Sequence, residues 1–327
     1  MRRRGYPSGV PRRSAAPRAL PADVAAFRAA LLAWFDRDGR ALSFRAARDP
    51  DPWAVLVSEV MAQQTQVGRV VERWRAFMDR YPTPAALADA PTGDVIRAWQ
   101  GLGYNRRAID LQRASRAIVA AGGRVPDDVD ALTALPGVGP YTARAVAAIA
   151  FGRPLGAVDV NVRRVLGRVT RRDPAPGEAA APFPPREIQA AADALVDPDR
   201  AGDWTHAMMD LGATLCRPVR PSCAACPVRT WCAFAGGAER VSEAPFRQAA
   251  PLAARERAVP FEATTRWLRG RIVDRLCSVP LGTSVAFDGP LGLHAPAAVS
   301  AALAALAEDG LVEIDGSGAA RLAGERP

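Results

Sequence analysis

Two carboxylates and four thiols are the residues of this chain whose types and spacing carry chemistry. Glu59 lies in Ser58-Glu59-Val60-Met61-Ala62-Gln63-Gln64-Thr65-Gln66-Val67, between Val57 and Val60 on a helical pattern whose neighbours read as buried. Gln63 falls one turn further along the same face. Carboxylates are seldom buried without a partner, and helix arithmetic alone favours a solvated or salt-bridged Glu59 over a catalytic one. Asp159 stands a hundred residues later, in Val158-Asp159-Val160-Asn161-Val162-Arg163-Arg164, close to Asn161 and the expected helix from Asn161 to Val169. Two carboxylates in different surroundings can divide the work of glycosidic cleavage. One, its pKa raised by desolvation, protonates the leaving group; the other stays an anion near the sugar carbon.

The thiols form the pattern Cys216-x6-Cys223-x2-Cys226-x5-Cys232. Disulfides do not suit the cytoplasmic location expected below, and four clustered thiolates satisfy either tetrahedral zinc or an iron–sulfur cluster. Spacing alone leaves both metals open. Arg217 and Arg220 in the first interval suit phosphate contact or plain solvation. Cys277 lies apart and reads as a core thiol. His206 and His294 read as structural.

The elements that must position these groups centre on Ala131 to Arg168. A short apolar helix over Ala131 to Leu135 stops at Pro136, turns through Gly137-Val138-Gly139, and restarts at Pro140, a residue suited to the first helical position. Both glycines are expected to take backbone angles closed to other residues and to let another backbone approach. With the free amides of the new helix they form a seat for one phosphate, which positions a nucleic-acid backbone and reads no base. The same turn also suits a plain connection between core helices. Gly101-Leu102-Gly103-Tyr104-Asn105-Arg106-Arg107 offers an aromatic able to wedge into a base stack, with arginines for the flanking phosphates; its plainer reading is an interhelical loop.

Composition agrees with a polyanionic partner. The formal net charge is +9, the pI is about 10.2, and every one of the 43 basic Lys+Arg residues is an arginine. DNA or RNA ranks ahead of a membrane, because no apolar stretch approaches a spanning length. Residues 1–21 read as a disordered basic tail without the apolar run of a signal peptide, so the chain is expected in the cytoplasm. From Asp23 to Gly122 apolar residues recur at three- and four-residue spacing, as in Val24-Phe27-Leu31-Phe35 and Val70-Trp74-Phe77, which predicts an all-helical core. Asp173 to Pro185 reads as an exposed loop. Helical patterning resumes over Arg186 to Val196 and Trp204 to Leu215.

Leu135-Pro136-Gly137-Val138-Gly139-Pro140-Tyr141 through Gly152, followed by Val158 to Val165, resembles the helix-hairpin-helix segment of the DNA glycosylase superfamily that contains endonuclease III and the MutY adenine glycosylases. SEVMAQQTQV around Glu59 resembles the MutY signature SEVMLQQTQV, and GLGYN resembles its GLGYY. The cysteine spacing, with MMDLGATLC before it and CAACP within it, resembles the part that binds a [4Fe–4S] cluster in both groups. The resemblance implies an all-α helix-hairpin-helix fold over residues 22–235, with Cys216, Cys223, Cys226 and Cys232 as cluster ligands. It implies Glu59 as the acid that protonates departing adenine and Asp159 as the catalytic carboxylate, supported by Tyr141 and Asn161. Contacts to duplex DNA then fall to Gln63, Gln64, Tyr104, Arg106, Gly137, Val138 and Gly139. Tyr104 would intercalate while the target base is flipped out, aided by the Ala62-Gln63-Gln64 turn, although Ala62 stands where relatives carry leucine.

Bifunctional members of the superfamily carry a lysine after the hairpin proline, which attacks the sugar and cuts the strand through a Schiff base. This chain has Tyr141 there and no lysine at all. The expected enzyme is a monofunctional hydrolase that removes adenine mispaired with 8-oxoguanine or guanine and leaves an abasic site to downstream repair enzymes. It is expected to act as a monomer. Two features depart from the family: Leu42-Ser43-Phe44-Arg45 replaces the usual LPWR, and no Nudix-box pattern follows the cysteines. After a linker over 236–260, residues 261–327 predict a helix (Glu262 to Ser278), a second helix (Ala295 to Asp309) and a hairpin around Asp315-Gly316-Ser317-Gly318, a small α+β winged-helix-like domain. It suits DNA binding and simple capping equally. The rival readings are a glycosylase for another base, such as thymine opposite guanine, and a non-catalytic iron–sulfur winged-helix DNA-binding protein.

Overall fold

The computed structural model describes residues 20–45, 50–170, 184–236 and 259–325. The expected tail, the loop from Asp173 and nearly all of the linker lie outside these residues. Fourteen α-helices and one two-stranded sheet are described: α1 (Val24–Asp38), α2 (Pro52–Ala62), α3 (Val67–Arg80), α4 (Pro84–Ala88), α5 (Thr92–Ala98), α6 (Arg106–Ala120), α7 (Val129–Thr133), α8 (Pro140–Phe151), α9 (Val160–Val169), α10 (Pro185–Leu195), α11 (Ala201–Thr214), α12 (Ala233–Gly236), α13 (Thr265–Cys277) and α14 (Pro296–Glu308), then β1 (Val312–Ile314) and β2 (Ala320–Leu322). Among the described residues no helix is long and apolar enough to cross a membrane.

Helix starts follow their caps. Asp23, Thr83, Asp128 and Thr264 each accept a backbone N–H of the first turn, and Pro52, Pro84 and Pro140 occupy first helical positions. The capping of α7 by Asp128 moves that helix two residues earlier than its apolar residues suggested.

The region expected as one helical domain holds two apolar cores. The first gathers α2 to α8 around Trp99, Phe77, Leu56, Met61 and Leu111. The second gathers α1, α9, α10 and α11 around Phe27, Leu31, Trp204 and Leu166, with Trp231 and three of the clustered cysteines packed against it. Helix α8 belongs to both, since Ala143, Val146 and Ala147 face the first core and Ala148 the second. Its small residues let both halves approach closely. A residue at the start of α8 therefore stands where the two halves meet.

A third core belongs to residues 259–325, where α13, α14 and the antiparallel β1–β2 pair enclose Leu268, Ile272, Leu303 and Leu322. Val285 adds a single antiparallel bridge to Ala320, so the order helix, bridge strand, helix, hairpin is that of a small winged helix. Ile96 of α5 and Ile109 of α6 enter this core. Arg97 reinforces the junction, pairing with the buried Glu325 at 2.8 Å and donating to the carbonyl oxygens of Cys277 and Val279.

Candidate active site

Glu59 is carried by α2, which packs against α8 where the first two cores meet, and is only 7% exposed. Tyr141, in the first turn of α8, donates its hydroxyl to Glu59 Oε2 at 3.1 Å, with Met209 Sδ on its other side at 3.6 Å. Burial raises the Glu59 pKa above the ordinary carboxyl value; the Tyr141 hydrogen bond and the Arg45 charge oppose this, while Asp159 adds to it. Burial together with the two carboxylates also raises the Tyr141 pKa, so the phenol keeps its proton. The pair is thus one buried acid with one fixed donor.

Asp159 is the N-cap of α9. Its Oδ1 accepts the Val162 amide at 2.7 Å, and its Oδ2 accepts Asn161 Nδ2 at 2.8 Å. Both bonds fix the carboxylate's orientation, and the helix N-terminus favours its negative charge. Asn161 Oδ1 in turn accepts Arg164 Nη2, and Arg164 donates to the carbonyl oxygens of Gly212 and Cys216. A chain of hydrogen bonds therefore runs from the carboxylate to the first clustered cysteine. Gly212 is required for it, because a Cβ there would meet Asn161 Cβ at 2.6 Å.

A second charged group lies beside Glu59 and was not singled out from sequence. Asp210 of α11, fully buried, accepts both Arg40 and Arg45 at 2.6–2.9 Å. Burial raises the Asp210 pKa, but these guanidinium contacts outweigh it and hold the carboxyl below its usual range. Arg45 Nε is buried with no hydrogen-bond partner among the described residues. An acidic residue within Ala207-Met208-Met209-Asp210-Leu211 was the available signal, since a carboxylate on an apolar helix face requires a cation. His206, one turn earlier, is held neutral by burial, its pKa pushed down to about 3.

The hairpin leads directly into α8. Gly137 has φ +75°, and a Cβ there would come 2.8 Å from Asp110 Cβ. Gly139 differs from expectation: its φ is −87°, within reach of any residue, and the space at its Cβ is open. Val138 packs in the first core, and its amide is spent on the Leu135 carbonyl at 3.1 Å. The free backbone donors lie instead at the start of α8, where Tyr141 and Thr142 precede the first intrahelical bond and no side chain caps the helix. Gln63 ties this hairpin to α2, donating to the Gly137 carbonyl and Thr142 hydroxyl.

Gln64 and Tyr104 both take positive φ, 53° and 48°, on two adjacent turns. Arg107 staples these turns together. Its guanidinium donates to the carbonyl oxygens of Val60, Met61, Gln63, Leu102 and Gly103 and to the Thr65 hydroxyl. The expectation of a second phosphate-binding arginine there is corrected: Arg107 is consumed by backbone. Arg106 remains at the surface, paired with Asp309 of the C-terminal region.

The pattern of HhH-GPD superfamily base excision DNA repair proteins matches residues 57–182, which contain Glu59, the hairpin, Tyr141 and Asp159. Over 247 residues the chain is 40% identical to the adenine DNA glycosylase of Mycobacterium tuberculosis, covering 75% of this chain and 77% of that protein. Over 299 residues it is 39% identical to the adenine DNA glycosylase of Mycolicibacterium smegmatis, covering 90% of this chain and 95% of that protein. The chain belongs to the HhH-GPD superfamily. Its fold is similar to that of a thermostable thymine-DNA glycosylase, with a TM-score of 0.58 at 27% identity over 65% of this chain and 96% of that one.

Beyond the HhH-GPD match lie the four cysteines, all half-buried free thiols, with Cys216, Cys226 and Cys232 packed against the second core. Each of Cys223, Cys226 and Cys232 lies within electrostatic reach of the others and of Cys216. Arg168, buried beneath them, donates to Cys216 Sγ at 3.1 Å and to the carbonyl oxygens of Cys216, Arg217 and Pro218. No three His, Cys, Asp or Glu among the described residues come close enough together to hold a single ion. The donor set, thiolates alone beside a buried cation, fits the cluster.

Proposed function

We propose that this chain is a monofunctional DNA glycosylase that hydrolyses the N-glycosidic bond of adenine mispaired with 8-oxoguanine or guanine. The observation that carries the proposal is the buried Glu59 carboxyl, its pKa raised by desolvation and its position fixed by the Tyr141 hydroxyl. With the adenine flipped into the cleft, Glu59 delivers its proton to N7 as the bond from sugar carbon to base breaks and the bonding electrons leave with the purine. Asp159, fixed by Val162 and Asn161, faces the oxocarbenium charge that develops on the sugar. Water completes the hydrolysis, and the abasic product passes to downstream repair enzymes.

A pyrimidine has no N7, so thymine would leave the Glu59 proton without an acceptor. That argues against the thymine reading, and both mycobacterial relatives carry the adenine name. The absence of lysine from the whole chain removes the side chain that a Schiff-base lyase requires. Duplex DNA is held by the α8 start beside Gly139 and by Gln63, Gln64 and Tyr104 around the gap, and the protein works as a monomer. Cys216, Cys223, Cys226 and Cys232 hold a [4Fe–4S] cluster, which cross-links the loop from 216 to 232. Arg168 balances the negative charge of the thiolates.

The test is Asp159→Asn. It is expected to abolish adenine release while leaving affinity for a duplex with adenine opposite 8-oxoguanine within about twofold, since the carboxylate acts on the transition state and not on the ground state. Release by the variant at the unaltered rate refutes the assignment. Tight duplex binding with no release by the unaltered chain supports the non-catalytic reading instead.

A further inference from the structure

Tyr104 is set from both sides. Its own loop gives it a left-handed backbone and leaves the ring 37% exposed. The Arg107 guanidinium lies 5.7 Å from the ring centroid, but its hydrogen bonds are committed to five carbonyls and one hydroxyl. The close contact comes from the C-terminal region: the Arg266 guanidinium of α13 lies 4.0 Å from the Tyr104 centroid, with the exposed Phe261 on it at 5.8 Å. Arg266 has no acidic partner among the described residues, so its charge faces the ring and solvent.

That placement is anchored. Asp309 binds Arg269 of α13 and Arg106 of α6 at 2.5 Å each, two residues from Tyr104 in the chain. The Arg97–Glu325 pair and the entry of Ile96 and Ile109 into the third core hold the same junction from below. We propose that Arg266 is a positioning residue for the Tyr104 wedge, so that the winged-helix-like region presets the group that enters the base stack. This rests on the glycosylase reading, in which Tyr104 intrudes into DNA. A cation over the ring face restricts the ring's rotation in the free protein and leaves an unpaired positive charge beside the strand the ring enters. The C-terminal region then acts on excision without touching the cleft.

The experiment uses the full chain and a duplex carrying 2-aminopurine beside adenine opposite 8-oxoguanine. Intrusion of Tyr104 unstacks the probe, and its fluorescence rises after rapid mixing. Tyr104→Ala is expected to abolish the rise. Arg266→Ala is expected to slow it about two- to fivefold, the range of a cation–π contact at an exposed site, and Arg266→Lys to restore most of it. The double variant is expected to match Tyr104→Ala alone, because the arginine acts through the ring. A normal rise in Arg266→Ala overturns the proposal, as do effects of the two substitutions that multiply independently, or a rise that Tyr104→Ala leaves unchanged. Adenine release is followed on the same duplex. An Arg266-dependent rise without any release by the unaltered chain overturns the glycosylase reading and leaves the positioning role standing.

Discussion

Glu59→Gln separates the chemistry of the site from its cost to the fold. Glutamine keeps the size of the side chain and an oxygen to accept the Tyr141 hydroxyl, now 3.1 Å from Glu59 Oε2, but carries no proton for N7. Loss of a positioned general acid slows the step by about 10²- to 10⁴-fold, so single-turnover adenine release should fall by that amount with duplex affinity retained. In the unaltered chain the rate should fall as pH rises through the raised Glu59 pKa, because only the protonated form is the acid. The variant should lose that limb.

Stability moves the other way. Burial raises the native Glu59 pKa above its ordinary value of 4.5, so the native state binds the proton more tightly than the unfolded chain does. The stability this contributes is complete below the unfolded value and is lost as pH rises through the native one. Above that window Glu59→Gln should be more stable than the unaltered chain by about 1–3 kcal/mol, the scale of desolvating a polar group without full compensation. The difference should vanish at acidic pH. Urea unfolding at several pH values and quenched-flow base release are the two assays. A variant that releases adenine within tenfold of the normal rate, or that is less stable at alkaline pH, refutes the buried-acid argument.

Three further substitutions probe the supports. Gly137→Ala forces a methyl to 2.8 Å from Asp110 Cβ at φ +75° and should destabilise the fold by about 1–3 kcal/mol, read by thermal melting. Gly139→Ala meets open space at an ordinary φ, so it should melt near normally while weakening duplex affinity in a filter-binding titration, because its methyl stands at the phosphate seat. Arg164→Ala removes the link between Asn161 and the carbonyl oxygens of Gly212 and Cys216. It should slow release and also accelerate loss of iron absorbance under chelation, whereas a purely local role for Arg164 would change only one of these.

Much of the site was legible because its residues sit in short local patterns. The helix carrying Glu59, the restart at Pro140 that presents Tyr141, and the Asp159 cap are each set by neighbours within four residues. So was the hairpin around the Asp315 turn, whose strands pair Val312 with Leu322. What could not be read depends on segments far apart in the chain. Arg40 and Arg45 meet Asp210 from 165 and more residues away, and Arg266 reaches Tyr104 only because Ile96 and Ile109 enter the third core. Arg107 was legible as a basic residue but not as a backbone staple, since its acceptors are carbonyls that no side-chain pattern marks. Gly139 misled for a related reason: glycine there leaves space outside the protein, and not a strained turn within it.

The central claim is hydrolytic removal of adenine by the Glu59–Asp159 pair without a lyase step. Single-turnover release on duplexes carrying adenine opposite 8-oxoguanine, adenine opposite guanine and thymine opposite guanine, each read with and without alkali, tests it most directly. The account predicts strand breaks only after alkali and only on the adenine strands. Thymine release, or breaks that form without alkali, would contradict it.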